Sequence, residues 1–429
     1  MSSNVFSRRN FLRGAAVVPF AQAASALPQA SSASLPPALG ELRSRRSEAQ
    51  PITREERGVR QEQARRLMAA NQLDAILLMA GTSLDYFTGI HWWGGERTFA
   101  CILPAKGAAF YVCPAFEEDR AREQFAGAPD AEHADLRTWQ EDESPYRLIA
   151  GGLKDRGLAT GTLAIEESVK FVFSNGVAQA APQLQLTSAT PVTAGCRSIK
   201  SEHELALMRL AAHVTLAAYE AAYRSIRPGM TQNEFADLVA KAHDQLGFAG
   251  EASVQVGPSS ALPHGSIEPQ VIREGAILLM DGGCQVQGYS SDISRTFVLG
   301  KPSDKMKHVF EVVHAAQTAA LKASRPGVDC QSADAAARAV ITDAGFGPDY
   351  VHFSHRLGHG MGMDGHEWPY LVRGNTTKMA PHMTFSDEPG VYIRGEFGVR
   401  LEDDMHITED GAELFTPQSP SLEDPFGKV

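Results

Sequence analysis

The sequence predicts an α/β amino-terminal domain followed by a second domain of helices and strands that contains an internal repeat. Three observations carry that expectation. Helical and strand patterns alternate from about Thr53 to residue 195. Long helical patterns then take over at Ser201. Within this second half, Arg227-Pro228-Gly229 with Gly247-Phe248 recurs as Arg325-Pro326-Gly327 with Gly345-Phe346, at an offset of 98 residues (227 to 325). A chain of 429 residues, 43% hydrophobic and 21% charged, has room for two such domains. The composition excludes disordered, collagen-like and coiled-coil classes.

The elements follow in order. Ser7-Arg8-Arg9-Asn10-Phe11-Leu12-Arg13 leads into an apolar, small-residue stretch from Gly14 to Ala26. This resembles a twin-arginine export signal, so residues 1–26 are expected to be a signal peptide and the mature protein periplasmic or extracellular. Residues 27–52, rich in Ser, Ala and Pro and then in Arg and Glu, are expected to be a linker. Residues 53–196 form the α/β domain: a helix at Arg54 to Ala70, a buried strand at Ala75 to Met79, and strands at Ala100 to Leu103, Ala108 to Cys113 and Leu163 to Ile165. Helices are expected at Glu117 to Phe125 and Tyr146 to Gly152. Residues 197–429 form the second domain, opened by the capping-box patterns Ser201-x-x-Glu204 and Thr231-x-x-Glu234.

Charge and composition exclude several functions. A net charge of −11 gives phosphate backbones nothing to bind, so nucleic acid is not an expected partner. No apolar run reaches the roughly 18 to 20 residues of a membrane span, and stable membrane insertion is not expected. Five scattered cysteines make neither a disulfide framework nor a zinc knuckle.

The chemistry lies in patterned acids. Ile277-Leu278-Leu279-Met280-Asp281 is an apolar strand ending in a carboxylate, and Asp292-Ile293-Ser294-Arg295-Thr296 begins an alternating strand with another. The second half answers with Phe385-Ser386-Asp387-Glu388-Pro389-Gly390 and the strand Arg400-Leu401-Glu402-Asp403-Asp404. Glu388 and Glu402 stand at offsets of 107 and 110 from Asp281 and Asp292 (281 to 388, 292 to 402). Four acids brought together would repel unless a cation lay between them, and oxygen-rich sites suit Mn²⁺ above all, with Co²⁺ and Zn²⁺ also able to bind. Between the pairs lies His355-Arg356-Leu357-Gly358-His359-Gly360-Met361-Gly362-Met363-Asp364-Gly365-His366, in which an imidazole is placed to complete a metal shell.

On these residues the chain resembles the pita-bread metallopeptidase family, which includes methionine aminopeptidase, Xaa-Pro aminopeptidase, prolidase and creatinase. The resemblance is close over residues 197 to about 416 and loose before it, where Asp85-Tyr86-Phe87-Thr88-Gly89 matches a short motif of proline-directed members. It implies a creatinase-like α/β amino-terminal domain, an α+β pita-bread catalytic domain with a pseudo-twofold repeat, and two divalent metal ions on Asp281, Asp292, His359, Glu388 and Glu402. By the same resemblance Asp292 and Glu402 bridge the ions, Glu388 moves protons, and His264, His355 and His366 face the substrate. Arg400 orients ligands. The implied substrates are peptides with proline at the second position, cleaved by an Xaa-Pro aminopeptidase or dipeptidase acting as a homodimer or higher homo-oligomer. Two other readings stay open: a metal-dependent lyase or small-molecule hydrolase on the same scaffold, and a non-catalytic binding module.

One departure from the family pattern is Ser386-Asp387 before Glu388. Strand alternation predicts that Asp387 points away from the metals. Trp92-Trp93 reads as packing or as a loop lining a neighbouring subunit's site, and Arg373 as a solvated loop charge.

Overall fold

The computed structural model of the chain describes residues 35–427, so the expected export signal lies outside the described residues. Six strands build the amino-terminal sheet: β1 (Ala75–Met79), β2 (Ala100–Pro104), β3 (Phe110–Pro114), β4 (Asp135–Trp139), β5 (Gly161–Ile165) and β6 (Leu184–Ser188), in the order β4-β3-β2-β1-β5-β6. β1 pairs antiparallel with β2 and parallel with β5, which makes the sheet mixed. All five β1 residues are buried because both faces are covered: Ile76 and Leu78 enter one core, while Ala75, Leu77 and Met79 enter the other. β4 and β6, which are less buried and less apolar than β1, escaped the sequence reading.

The second domain repeats a plan of two helices followed by strands. Helices Glu202–Tyr223 and Gln232–Leu246 precede β7 (Gly250–Val256), β8 (Ile277–Val286), β9 (Tyr289–Ser290) and β10 (Ile293–Val298), paired as β10-β8-β7 with β9 on β8. Helices Asp304–Ala323 and Cys330–Ile341 precede β11 (Gly358–Gly360), β12 (Glu367–Leu371), β13 (Thr384–Asp387), β14 (Gly390–Ile393), β15 (Phe397–Arg400), β16 (Asp403–Ile407) and β17 (Ala412–Leu414). These form a five-stranded sheet, β12-β11-β13-β16-β17, and a β14-β15 hairpin. Both expected capping boxes form, at Ser201 and Thr231.

The internal repeat is structural. Gly247 and Gly345 occupy equivalent helix ends in left-handed conformation, at φ +93° and +87°. Gly229 N–H donates to Ile272 O at 2.8 Å, and its counterpart Gly327 N–H to Met379 O at 2.9 Å. The acceptors stand 107 residues apart (272 to 379), the offset that also separates Asp281 from Glu388. The second domain is thus the α+β arrangement with a pseudo-twofold repeat, and the first the α/β domain, that the sequence predicts.

The linker expectation for residues 27–52 needs correction over its described part. Leu39, Ala49 and Ile52 are buried in the core that holds Leu205, Met208 and Leu246. Arg45 N–H also donates to Leu246 O at 2.8 Å. A few apolar residues spaced along a polar stretch suffice when a helical surface is already there to receive them.

No helix among the described residues is long and apolar enough to cross a membrane. All five cysteines are buried and free, so no disulfide is present.

One buried group sets an acid limit on this fold. His243 is fully buried, with Nδ1 donating to Val239 O at 3.0 Å, and burial pushes its pKa down to about 4. The unfolded chain therefore binds a proton that the folded chain refuses, so stability is complete above about pH 6.5 and falls toward pH 4. The loss is about 3 kcal/mol from this residue. Chemical denaturation across that window should show a shallower pH slope in His243→Gln than in the wild type.

Candidate metal centre

β8 and β10 present Asp281 and Asp292 from one half of the repeat, and β13 and β15 deliver Glu388 and Glu402 from the other. Register places Asp281 between Ser253 and Ser294 on the neighbouring strands. Asp292 lies one residue before β10, and its backbone N–H donates to both oxygens of buried Asp404, at 3.2 and 3.1 Å. Gly283 lets the chain just before Asp292 pass close to β8, because a Cβ there would stand 1.9 Å from Ser291 O. Gly358 does the same in the other half, where a Cβ would stand 2.0 Å from Ser386 O. Gly358→Ala should therefore push β11 from β13, lowering stability by roughly 1–3 kcal/mol and weakening metal binding. Thermal unfolding with and without Mn²⁺ measures both effects.

The strand expected at Arg400 to Asp404 is broken. Arg400 closes β15 opposite Gly390, whereas Asp403 opens β16 opposite Asp387 in a different sheet. Leu401 and Glu402 cross between them. At the crossing, Arg295 Nη1 donates to Glu402 O at 2.9 Å and the Glu402 N–H donates to Ser294 O at 3.2 Å. Arg400 and Glu402 still face the same space, with Nε 3.8 Å from Oε2. The principal partner of Arg400 is Asp281 in the opposite half, at 2.5 Å from Nη2 to Oδ2.

Every residue nominated from the sequence lines one cavity of about 450 Å³: His264, Asp281, Asp292, His355, His359, His366, Glu388, Arg400 and Glu402. Within it, oxygens of Asp281, Asp292 and Glu402 lie within 4.8 Å of one another, and so do donor atoms of His359, Glu388 and Glu402. A third set, Asp292, His359 and His366, meets the same limit, so Glu402, Asp292 and His359 each belong to two sets.

The electrostatics show what this set lacks. Burial, then the charges of its carboxylate neighbours, pushes Asp292 and Glu402 well above the ordinary carboxylate range. Burial raises Glu388 to about 8, against the opposing pull of Arg400. Burial also works against ionisation of Asp281, but Arg400 and the Ser294 hydroxyl outweigh it and hold this one acid low. The Ser294 hydroxyl lies 2.7 Å from Asp281 Oδ1 and 2.6 Å from Glu402 Oε2, and its single proton can serve only one of them.

His359 completes the pattern. Its Nδ1 donates to Gly360 O at 3.1 Å, which leaves the Nε2 lone pair facing Glu388 Oε1 at 3.4 Å and Asp292 Oδ2 at 3.8 Å. Burial, then the neighbouring His366, pushes its pKa down to about 3, so these contacts are not ion pairs. Crowded carboxylate oxygens and an unprotonated imidazole turned toward one point are the donor set of divalent metal ions. The residues present fit that group.

The histidines nominated as substrate-facing are placed differently from one another. His264 is exposed on the cavity rim, and the preceding Pro263 O accepts from Arg400 Nη1 at 3.0 Å. His366 stacks on His359, with ring centroids 3.7 Å apart. His355 lines the cavity, but both its nitrogens are engaged. Nδ1 donates to Arg356 O at 2.8 Å, and Nε2 accepts from Tyr392 OH at 2.8 Å. Tyr392 OH in turn accepts from Arg400 Nη1 at 3.1 Å.

Sequence reasoning missed Tyr392 and Ser294, and it singled out Ser386 without giving it a role. Period-two alternation from Asp292 was the available signal for Ser294. Ser386 Oγ accepts from His359 N–H at 3.0 Å and donates to Glu388 Oε1 at 3.3 Å. Nothing local marks Tyr392, which acts across the hairpin. Asp387 points away from the cluster as alternation predicts, fully buried, with neither side-chain oxygen hydrogen-bonded. Burial, then Asp403 and Glu388, pushes its pKa far up. Trp92 stacks on Phe99 at 4.0 Å, Trp93 is 81% exposed, and Arg373 pairs with Asp349 at the surface.

Comparison with known proteins agrees with this geometry. Residues 206–409 match metallopeptidase family M24, and residues 60–199 match the creatinase/prolidase N-terminal domain. The Xaa-Pro dipeptidase of Lactobacillus delbrueckii subsp. lactis is 33% identical over 360 residues, covering 82% of this chain and 95% of that protein. A probable dipeptidase PepE of Mycobacterium tuberculosis is 34% identical over 356 residues, covering 81% and 92%. Among solved structures, dipeptidase PepE from Mycobacterium ulcerans superposes with a TM-score of 0.81 at 30% identity, covering 87% of this chain and 99% of that one. With two donor groups sharing Glu402 and relatives aligned over nearly their whole length, the chain belongs to metallopeptidase family M24 and is a metal-dependent hydrolase.

Proposed function

We propose that this protein is an Xaa-Pro dipeptidase, releasing an amino-terminal residue and free proline, with Mn²⁺ as its preferred ion. The observation that carries the proposal is the pair of donor groups, Asp281-Asp292-Glu402 and His359-Glu388-Glu402, meeting in one cavity. The proline preference is supported by the relatives called Xaa-Pro dipeptidase in Lactobacillus delbrueckii and Lactobacillus helveticus. The Mn²⁺ preference is supported by the carboxylate majority of the ligands.

Asp281, Asp292, His359, Glu388 and Glu402 would hold two divalent ions. When bound, such ions supply counter-charge, Lewis acidity toward a carbonyl oxygen and a water acidified toward neutral pH. The remaining steps belong to side chains of this chain. Glu388, whose carboxyl burial raises to about 8 in the ion-free site, would be ionised beside bound cations and could then take a proton from the attacking water and return it to the leaving nitrogen. His264 and His366, both on the cavity wall, donate to the carbonyl oxygen as negative charge develops there. Arg400 holds Asp281 and, through Tyr392, the ring of His355.

Chelator-stripped protein should be inert, and added Mn²⁺ should restore release of the first residue from Gly-Pro and Ala-Pro while sparing Leu-Gly. Cleavage of Arg-Pro-Pro at a comparable rate would move the assignment to Xaa-Pro aminopeptidase. Silence on all proline substrates despite bound metal would move it to a lyase or other small-molecule activity on the same scaffold.

The proposal extends to an exported homodimer. Export is supported by the twin-arginine pattern at residues 7–26, and self-association by the exposed Trp93. Cell fractionation and sedimentation of the mature chain test these two points separately.

A further inference from the structure

We propose, resting on the hydrolytic reading above, that Arg356 is a positioning residue that fixes His366 as an Nε2–H donor and keeps it out of the metal shell. His366 is close enough to be a ligand: one of its ring nitrogens lies within 4.8 Å of an Asp292 oxygen and a His359 nitrogen. What separates a donor from a ligand is which nitrogen carries the proton, and that is set by the hydrogen bond the other nitrogen makes. Arg356 Nη2 lies 3.1 Å from His366 Nδ1. A guanidinium can only donate, so Nδ1 accepts, and the proton of the neutral ring sits on Nε2.

The arrangement is braced by stacking at both ends, although His366 is open to solvent. The Arg356 guanidinium lies over the Tyr370 ring at 4.1 Å from its centroid. Its backbone carbonyl is held by His355 Nδ1 at 2.8 Å. The His366 ring lies nearly parallel to His359, at 16° and 3.7 Å, which limits its rotation. Arg356 also lines the metal cavity itself. With the donor at Nδ1 removed, nothing in this set prevents the proton from moving to Nδ1 and the Nε2 lone pair from turning toward an ion.

The test reads the tautomer directly. Protein labelled with ¹⁵N-histidine and loaded with diamagnetic Zn²⁺ should show for His366 an unprotonated Nδ1 and a protonated Nε2 in long-range ¹⁵N–¹H correlation spectra, the signal being identified by its absence in His366→Gln. Arg356→Met keeps an apolar stem against Tyr370 but cannot donate, and should shift this pattern to a mixture or to Nδ1–H. Arg356→Lys, which still donates, should keep much of the wild-type pattern and folds even if the Met variant does not. In turnover of Ala-Pro, Arg356→Met should lower kcat by roughly 10- to 100-fold with KM little changed, and Arg356→Lys should recover part of the loss. An unchanged His366 pattern in Arg356→Met, or a loss of the Nε2–H pattern in Arg356→Lys as complete as in Arg356→Met, would overturn the assignment. If the protein hydrolyses no Xaa-Pro substrate, the nitrogen spectra still decide the role of Arg356, so the two readings fail separately.

Discussion

Replacing Glu402 with Gln should abolish hydrolysis while making the ion-free protein more stable. Glu402 joins the Asp281-Asp292 acids to the His359-Glu388 pair, so its loss should exceed the roughly 10- to 100-fold effect of an outer partner. In the ion-free protein the same carboxylate is a liability, buried among Asp292, Glu388 and Asp281 with Arg400 as the nearby cation. A neutral amide of the same shape removes that repulsion. Thermal unfolding should therefore place ion-free Glu402→Gln above ion-free wild type. Saturating Mn²⁺ should reverse the order, since an ion at a thousandfold excess over its Kd adds about 4 kcal/mol per site to the wild type alone. Equal stabilisation of both proteins by Mn²⁺ would remove Glu402 from the metal shell.

The second large effect is expected at Arg295, which never touches the cavity. Its guanidinium is fully buried, with Nη2 2.6 Å from Asp403 Oδ1, and Asp403 is fully buried too. Removing one partner of such a pair leaves an uncompensated charge and costs about 3–5 kcal/mol, whereas removing both is close to neutral. Arg295→Met should accordingly unfold well below wild type, and Arg295→Met with Asp403→Leu should recover most of the difference. Metal affinity should not recover. Arg295 Nη1 also holds the carbonyls of Ser294 and Glu402, and the double variant still lacks that tether. Calorimetric titration of Mn²⁺ into both variants separates the two roles of this arginine.

Arg295 also shows where reading a sequence stops. The acids Asp281, Asp292, Glu388 and Glu402 were legible because Asp281 ends an apolar run, Asp292 begins an alternating one, and the two pairs recur at nearly equal offsets. The two expected capping boxes and β1 were legible for the same local reason: a cap, a periodicity or a continuous apolar stretch acts within a few residues. Strands β4 and β6 were not, since Asp135-Leu136-Arg137-Thr138-Trp139 has no period and the alternation of Leu184-Gln185-Leu186-Thr187 spans only two apolar, partly exposed positions.

Residue type and spacing alone were enough to nominate the side chains that line the cavity, because a donor set must be built from particular side chains. Tertiary structure decided their partners. Arg400 pairs with Asp281 across the repeat rather than serving Glu402 alone, and His355 is occupied by Tyr392 instead of facing substrate freely. The chain breaks at Leu401 to pass from one sheet to another, and residues 37–52 dock on the catalytic half. Each of these depends on strand register and on surfaces that exist only once segments far apart in the chain have paired. Side-chain type survives unfolding, but the distance between Arg400 and Asp281 exists only in the folded chain.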